Sequence, residues 1–451
     1  MDHVNILRDY GLFDAKVPRY TSYPPANRFE LGIGARYQAE WLKNLPADDP
    51  VSVYIHIPFC RRLCWFCACR TQGTSTLGPV ARYVDVVAQE LLRVAELHPK
   101  GLKVERLHLG GGTPTLLTPD QMTQLLDAVF EVFKPTESFE FSVEIDPTDA
   151  AQEVLEVLAG YGMRRASIGV QDFAPVVQDA IGRQQSFEQT HQVVTSLRSL
   201  GLDSLNIDLL YGLPHQTNRS LRDTLDLVQR LDPDRLALYG YAHVPHMSKR
   251  QSMIPQDALP DAYRRYLSAQ MAKDHLEAMG YVSLGIDHFA KPMDSLARTA
   301  RAGGLRRNFQ GYTDDPCATL LGFGASAISK FPAGYVQNAV ATVAYQQRVR
   351  DGQTAGHKGY VMSSEDLFLA EVISQVMCEA RLDGQQLAQS FPEHRLSIAQ
   401  LLDDLVLTFP KAFERAGDVL TLKPGLEVLA RLIGAHCDIA LQREHIHSAA
   451  I

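Results

Sequence analysis

Short apolar runs alternate with longer amphipathic segments along most of the chain, after an irregular stretch that ends near Asn27. The runs Val51 to Ile57, Val104 to Leu109, Phe139 to Ile145, Arg165 to Val170, Ser204 to Tyr211 and Arg235 to Tyr241 have the length and composition of strands. Between the first two, Val80, Tyr83, Val84, Val87, Leu91 and Val94 fall near helical spacing within Pro79 to Leu97, and Thr118 followed by Pro119 reads as an N-cap and first helical residue. Strand and helix in strict alternation predict parallel βα units. The fold class expected is therefore α/β, an open (β/α)6 partial TIM-type barrel whose strand-end loops collect at one face and hold the site. Beyond Phe331 the strand rhythm fades into helical segments at Glu365 to Glu379 and Leu396 to Leu407, with a strand candidate at Val419 to Leu422. The expected division is an N-terminal arm (1–34), a barrel domain (35–335) and a mostly helical C-terminal domain (336–451), with Gly352 to Gly359 as the most loop-like stretch near the junction.

Four of the seven cysteines fall within ten residues, as Cys60, Cys64, Cys67 and Cys69. Thiolates are soft ligands, and gaps of three and two residues let one loop wrap three corners of a compact Fe-S centre. A structural zinc site would want four tetrahedral ligands, usually from two separated pairs, and a disulfide framework would want an oxidising compartment. Cys317, Cys378 and Cys437 are scattered singles. The reading favoured over zinc or free thiols is a 4Fe-4S cube held by Cys60, Cys64 and Cys67, one iron being left open for a small molecule. Cys69 lies too close to Cys67 to reach a far corner and is expected to stay a free thiol.

Composition narrows the setting. The chain has 451 residues and 45% hydrophobic content, enough for a large core. A net charge of −8 argues against general affinity for nucleic acid, which needs basic surface. No apolar run approaches a membrane span, and the opening MDHVNILRDYG lacks the sections of a signal peptide. The expected setting is the reducing cytoplasm, as a monomer.

Five segments carry a resemblance: YIHIPFC (Tyr54 to Cys60), LHLGGGTPT (Leu107 to Thr115), SVEIDP (Ser142 to Pro147), GVQDF (Gly169 to Phe173) and NIDLLYGLP (Asn206 to Pro214). With PRYTSYP (Pro18 to Pro24) and NFQGYT (Asn308 to Thr313), the chain resembles the oxygen-independent coproporphyrinogen III oxidases of the radical S-adenosylmethionine superfamily. The resemblance implies one 4Fe-4S cluster and two molecules of S-adenosylmethionine. Tyr54, Gly111, Glu144 and Ile328 are implied around the first, and Phe66, Gly112, Thr113, Gln171, Arg183, Asp208 and Ala242 around the second. It also implies a tetrapyrrole substrate, a reduced flavodoxin or ferredoxin-type electron donor, and hydrogen abstraction from the β carbon of two propionates in turn. Loss of carbon dioxide and an electron then leaves each vinyl group, giving protoporphyrinogen IX. Arg19, Tyr20, Tyr23 and Gln310 are the expected substrate-side residues, with the arm as a lid.

Each residue also has a plainer reading. A glycine run before Thr113 and Pro114 fits a tight strand-to-helix turn, Glu144 a solvated or capping acid, and Arg183 or Asp208 an ion pair or buried structural partner. Phe66 alone reads as core, and PRYTSYP as a packed arm. Trp65 stands where the family commonly has another aromatic, often Tyr, and keeps an aromatic face beside the cluster. His56 and His288 read as hydrogen-bonded structural histidines before proton carriers. Rival functions on the same scaffold are a haem chaperone, a radical methyltransferase, a haem-degrading enzyme and an electron carrier. PRYTSYP and the fourth loop cysteine, Cys69, count against the first, NFQGYT and the N-terminal arm against the second and third, and a single three-ligand loop suits the last poorly.

Overall fold

The computed structural model describes residues 3–46, 48–98, 102–438 and 450–451. Six parallel strands lie side by side in chain order: Val51–Ile57 (β1), Leu102–Gly111 (β2), Phe133–Ile145 (β3), Met163–Gln171 (β4), Ser204–Tyr211 (β5) and Arg235–Gly240 (β6). Each is enriched in β-branched and apolar residues and sends alternate side chains to opposite faces. In β4, Ala166, Ile168 and Val170 are buried on the helix side, while Ser167 and Gly169 alternate with them. Register aligns Tyr54 with His108 and His108 with Ser142, and one level up Glu144 with Ser167 and Ser167 with Asn206. The inner face of the barrel therefore carries a band of polar groups, and the outer face is apolar.

Helices cover that outer face. Gly78–Leu97 packs Val84, Val87 and Leu91 into the core against the strands, and Pro119–Val132 adds Leu125 and Leu126. The second helix starts where the sequence placed it. Thr118 accepts from the Gln121 amide and Gln121 accepts from the Thr118 amide, a reciprocal cap that satisfies donors the first turn would otherwise orphan. Each buried Leu or Val contributes about 1.5–3 kcal/mol.

The strands extend further than the sequence rhythm suggested. Leu320–Phe323 lies parallel to β1 on its free side, followed by antiparallel Ile328–Phe331, Gly334–Asn338, Gly356–Val361 and Glu30–Leu31. At the other edge His288–Ala290 pairs antiparallel to β6, and Val282–Leu284 pairs antiparallel to His288–Ala290. The two edges do not pair with each other among the described residues, so the barrel is open. Strand character thus continues to Val361, and the stretch expected as loop, Gly352 to Gly359, ends in strand. Its last two glycines, Gly356 and Gly359, serve close packing instead. A Cβ on Gly356 would lie 2.6 Å from Gln38 Oε1, and one on Gly359 would lie 2.9 Å from Ile33 Cγ2. Helix Ile33–Lys43 presses directly on this strand, and Gln38 accepts the Gly356 amide at 2.7 Å. The N-terminal stretch read as irregular contains a short helix, His3–Asp9.

A second apolar cluster joins Val372, Ile373 and Val376 of helix Ser364–Glu379, Leu402 and Leu405 of Arg395–Thr408, and Leu420 of a small three-stranded sheet that includes Val419–Leu422. Ile6, Leu7, Leu12, Val17, Tyr20 and Tyr23 of the arm are buried in the same cluster. The arm is thereby packed on the C-terminal helices.

At the N-terminal ends of the strands, ion pairs close the barrel. Arg165 meets Glu140 at 3.0 Å, and Arg235 meets Asp294 at 2.7 Å and Asp314 at 3.0 Å. Burial alone would raise the Asp314 carboxyl, but the Arg235 and Arg165 charges outweigh it and hold it well below the usual range. Another buried acid, Glu90, ties helix Gly78–Leu97 to the added strands. It accepts from Tyr345 Oη at 2.6 Å, the Gly324 amide at 2.8 Å and Asn338 Nδ2 at 2.8 Å. Burial nevertheless pushes Glu90 up to about 7, against an ordinary value of 4.5. The unfolded chain therefore gives up this proton first, so the contribution of Glu90 is fully present below pH 4.5 and is lost as pH rises through about 7. Urea unfolding should show wild type losing on the order of 3 kcal/mol relative to Glu90→Gln across that window; a pH-independent difference would contradict the assignment.

Candidate active site

The loop that leaves β1 is fastened to the end of β2 through main chain. The Gly112 amide donates to the Ile57 carbonyl and the Thr113 amide to the Phe59 carbonyl, both at 2.8 Å. Gly112 is required there: a Cβ would lie 2.5 Å from the Phe59 oxygen and 3.0 Å from Cys60 Sγ. Phe59–Cys60 then pairs with Gln72–Gly73, closing the loop on itself.

Within this loop Cys60, Cys64 and Cys67 are unpaired thiols, and Cys60 feels the charges of both the others. Burial pushes Cys60 up to about 11. Cys67 is drawn down to about 6, first by its hydrogen bond with Cys69 and then by the Arg250 and Arg183 charges, while Cys69 rises in response. Cys69 is exposed at the end of the loop and forms no disulfide. The donor set suits iron-sulfur chemistry. Among the described residues no three His, Cys, Asp or Glu side chains are grouped to hold a metal ion. A four-iron cube instead puts each thiolate on its own iron and spaces the sulfurs more widely, which three cysteines spread along a loop allow.

Neighbouring elements steady the loop. Arg183 Nη1 lies 3.5 Å from Cys64 Sγ and 3.1 Å from Asp146 Oδ2, and its Nη2 donates to the Gly169 carbonyl at 2.7 Å. Gln251 Nε2 donates to the carbonyls of Phe66 and Ala242, at 2.8 and 3.1 Å. Arg250 Nη2 reaches Thr71 Oγ1 at 2.9 Å, and Ser248 Oγ reaches the Cys67 carbonyl at 3.0 Å. The Trp65 ring packs on Gly182, whose φ of +64° and missing Cβ leave room for it. Arg183 is thus paired with Asp146 and has the Cys64 sulfur beside it.

The residues expected around the first S-adenosylmethionine converge beside the loop. Tyr54 stacks on His108, with centroids 5.8 Å apart, and its hydroxyl is 3.0 Å from His56 Nδ1. Glu144 Oε2 accepts the Gly111 amide at 2.8 Å, and Oε1 is 3.4 Å from His108 Nε2. Burial would raise Glu144, but the His108 contact and the Gly111 amide prevail and keep it below its ordinary value. Gly111 has φ +112°, open to glycine and strained for other residues, and a Cβ there would strike the His56 ring at 2.5 Å. Ile328 lies two strands over from Tyr54, its main chain against Gly322, the strand partner of Tyr54.

The second set extends along the strand ends. Thr113 is buried, Gln171 takes a left-handed turn (φ +69°) at the end of β4, and Phe66 is half-buried against a small cluster with Val177 and Tyr241. Asp208 accepts from Ser167 Oγ at 2.9 Å and Asn206 Nδ2 at 2.8 Å, and burial and the nearby Glu144 charge raise it. His56 and His288 are hydrogen-bonded, to the Arg70 carbonyl and to Asp287.

The substrate-side expectation divides. Arg19 reaches the end of β6, donating to the Gly240 carbonyl at 2.7 Å, and Gln310 is exposed on the turn of the hairpin formed by Arg306–Asn308 and Gly311–Thr313. Tyr20 and Tyr23 are not at the barrel mouth. Both are buried in the second apolar cluster with their hydroxyls 3.3 Å from Asp438, because the arm must pack its aromatic faces. Sequence reasoning missed His108, Asp146, Arg250 and Gln251. His108 was within reach, since it lies two residues before Gly110 and so shares its face of β2; the rest come from loops distant in sequence.

A glycine-bound three-cysteine loop at the mouth of an open βα barrel is the arrangement of the radical S-adenosylmethionine superfamily, whose sequence profile matches residues 54–228. An oxygen-independent coproporphyrinogen III oxidase of Paracoccus denitrificans is 45% identical over 451 residues, all of both chains, and one of Cereibacter sphaeroides is 52% identical over 87% of each. The solved coproporphyrinogen III oxidase of Escherichia coli, described as a radical S-adenosylmethionine enzyme, superimposes with a TM-score of 0.89 at 34% identity, covering 94% of this chain and all of that one. The chain belongs to the oxygen-independent coproporphyrinogen III oxidase family. Members of the superfamily work with a 4Fe-4S cluster and S-adenosylmethionine.

Gly112→Ala should unseat the cluster loop, lowering iron bound per chain after anaerobic reconstitution and destabilising the protein by about 1–3 kcal/mol. Unchanged iron content and melting temperature would show that the close approach is dispensable.

Proposed function

We propose that this chain carries out the oxygen-independent oxidative decarboxylation of coproporphyrinogen III, turning two propionates into vinyl groups and yielding protoporphyrinogen IX for haem biosynthesis. The observation that carries the reading is likeness to oxidases of this reaction along the whole chain, 45% over 451 residues in one relative. When bound, the cluster and S-adenosylmethionine supply the 5′-deoxyadenosyl radical that removes a hydrogen atom from the propionate β carbon.

The residues divide the remaining work. Cys60, Cys64 and Cys67 hold the cluster and leave room for one exchangeable ligand. Tyr54, Gly111, Glu144 and Ile328 hold the first S-adenosylmethionine; Glu144 is kept ionised and accepts the Gly111 amide, so it suits a cationic amino group. Phe66, Gly112, Thr113, Gln171, Arg183, Asp208 and Ala242 hold the second. Arg19 and Gln310 meet the tetrapyrrole, while Tyr20 and Tyr23 anchor the arm (1–34) so that it serves as a lid on the barrel, whose edge strands run on to Val361, with the helical segments after Val361 as its support. Once the β carbon has lost its hydrogen atom, breakage of the bond to the carboxylate releases carbon dioxide, and one electron leaves to an acceptor. The reductant is a flavodoxin or ferredoxin-type protein, and the enzyme works as a cytoplasmic monomer. Among the described residues no helix is long and apolar enough to cross a membrane.

Anaerobic incubation of reconstituted protein with coproporphyrinogen III, S-adenosylmethionine and a reductant should give vinyl tetrapyrroles together with 5′-deoxyadenosine, and Cys64→Ala should abolish both. Undiminished decarboxylation by the cluster-free variant, or cofactor cleavage by wild type without any vinyl product, would refute the reading.

A further inference from the structure

Around the C-terminal ends of β5 and β6, arginines gather with few carboxylates to answer them. Arg19 approaches over Gly240. Arg265, from helix Ala262–Ala278, fills the space beside the same residue: a Cβ on Gly240 would lie 3.1 Å from Arg265 Nη2 and 2.9 Å from the Tyr211 hydroxyl, and one on Gly212 would lie 3.0 Å from Arg265 Nε. Arg307 enters from the hairpin, its guanidinium 4.4 Å from the centre of the Tyr312 ring and its side chain only 6% exposed. Next to it, Gly311 would bring a Cβ within 3.0 Å of the Tyr239 hydroxyl and 2.9 Å of the His288 ring. Tyr239 is paired with Leu210, two residues along the strand from Asp208, so this cluster adjoins the cofactor side of the barrel.

The counter-charge is meagre. Arg307 Nη2 stands 3.5 Å from Asp287, a carboxylate that His288 also engages at 2.7 Å. Arg307 Nε and Nη1 and Arg265 Nε are buried with no hydrogen-bond partner. Arg431 is engaged elsewhere, since it donates to the carbonyls of Val17, Pro18 and Ala450 and so fixes the segment that carries Arg19. Burial together with the Arg19 charge pushes Arg265 down and takes Arg431 to about 9. Gathering buried guanidinium groups around unsatisfied donors is unfavourable unless an anion completes the set. Planar guanidinium forks match carboxylates bidentately, and the tyrosine hydroxyls add neutral donors.

We infer that Arg265 and Arg307, with Arg19, form a carboxylate-binding site that receives the propionates of the tetrapyrrole that are not being decarboxylated. The inference rests on the proposed function and adds the subsite that orients the ring. It assigns Arg431 as a positioning residue, acting through the arm.

The test is anaerobic binding of coproporphyrin III, followed by fluorescence, to reconstituted wild type and to Arg265→Gln, Arg307→Gln and Arg307→Lys, with melting temperature and cluster absorbance as checks on the fold. Each Gln variant should weaken binding about tenfold or more, Arg307→Lys should recover part of the loss, and coproporphyrin III tetramethyl ester should bind all four proteins equally weakly. If Arg307→Gln does not fold, the less buried Arg265→Gln still decides the matter. Unchanged coproporphyrin III affinity in a folded Gln variant would overturn the site, and so would a loss shared equally by the ester. A wild type that forms no vinyl product overturns the proposed function itself; a wild type that turns over while folded Gln variants bind normally overturns the subsite alone.

Discussion

Two main-chain hydrogen bonds between the end of β2 and the departing strand of β1 hold the site together. Gly112 and Thr113 donate to the carbonyls of Ile57 and Phe59, and only a residue without a side chain permits that approach at Gly112. From this contact the rest follows in order. The fastened strand end presents Cys60 at the mouth, the loop can then close through Phe59–Cys60 and Gln72–Gly73, and the preceding amide of Gly111 is aimed at Glu144 on the neighbouring strand β3. A single strained turn thus fixes both the sulfur ligands and the carboxylate that would face a cationic cofactor.

Charge is distributed unevenly around the same mouth. Glu144 and Asp208, on β3 and β5, put two carboxylates on the inner face; His108 and the Gly111 amide outweigh burial at Glu144, while at Asp208 burial prevails over the Ser167 and Asn206 bonds. Arg183 and Arg250 flank the cysteine loop, where thiolates concentrate negative charge. The arginines at β5 and β6 form a third sector. An overall acidic chain can therefore still offer a strongly cationic pocket, because the excess acids are placed elsewhere.

The barrel was legible because its strands bury one face against helices and so keep a clean period: all six runs are strands within a few residues of the expected limits. Strands at the edge were not. Gly356–Val361 has glycines where a helix presses on it, and glycine reads as loop when the pressing partner is hundreds of residues away in sequence. The cysteine loop and the glycine run announced themselves through spacing, and His108 was readable from strand parity. Arg265 and Arg307 were not, since what marks them is the want of a partner, a property that exists only after a helix, a hairpin and the arm have met around Gly240. Tyr20 and Tyr23, read as substrate-side from their polar aromatic motif, are buried with their hydroxyls on Asp438 and hold the segment that carries Arg19, a packing role that composition does not reveal.

The ion pairs of Arg165, Arg235, Glu140, Asp294 and Asp314 plug the barrel at the ends opposite the cysteine loop. Breaking a buried pair of this kind costs about 3–5 kcal/mol, so the end of the barrel away from the cysteine loop is built to hold its shape while the loop end is left to vary with what it binds.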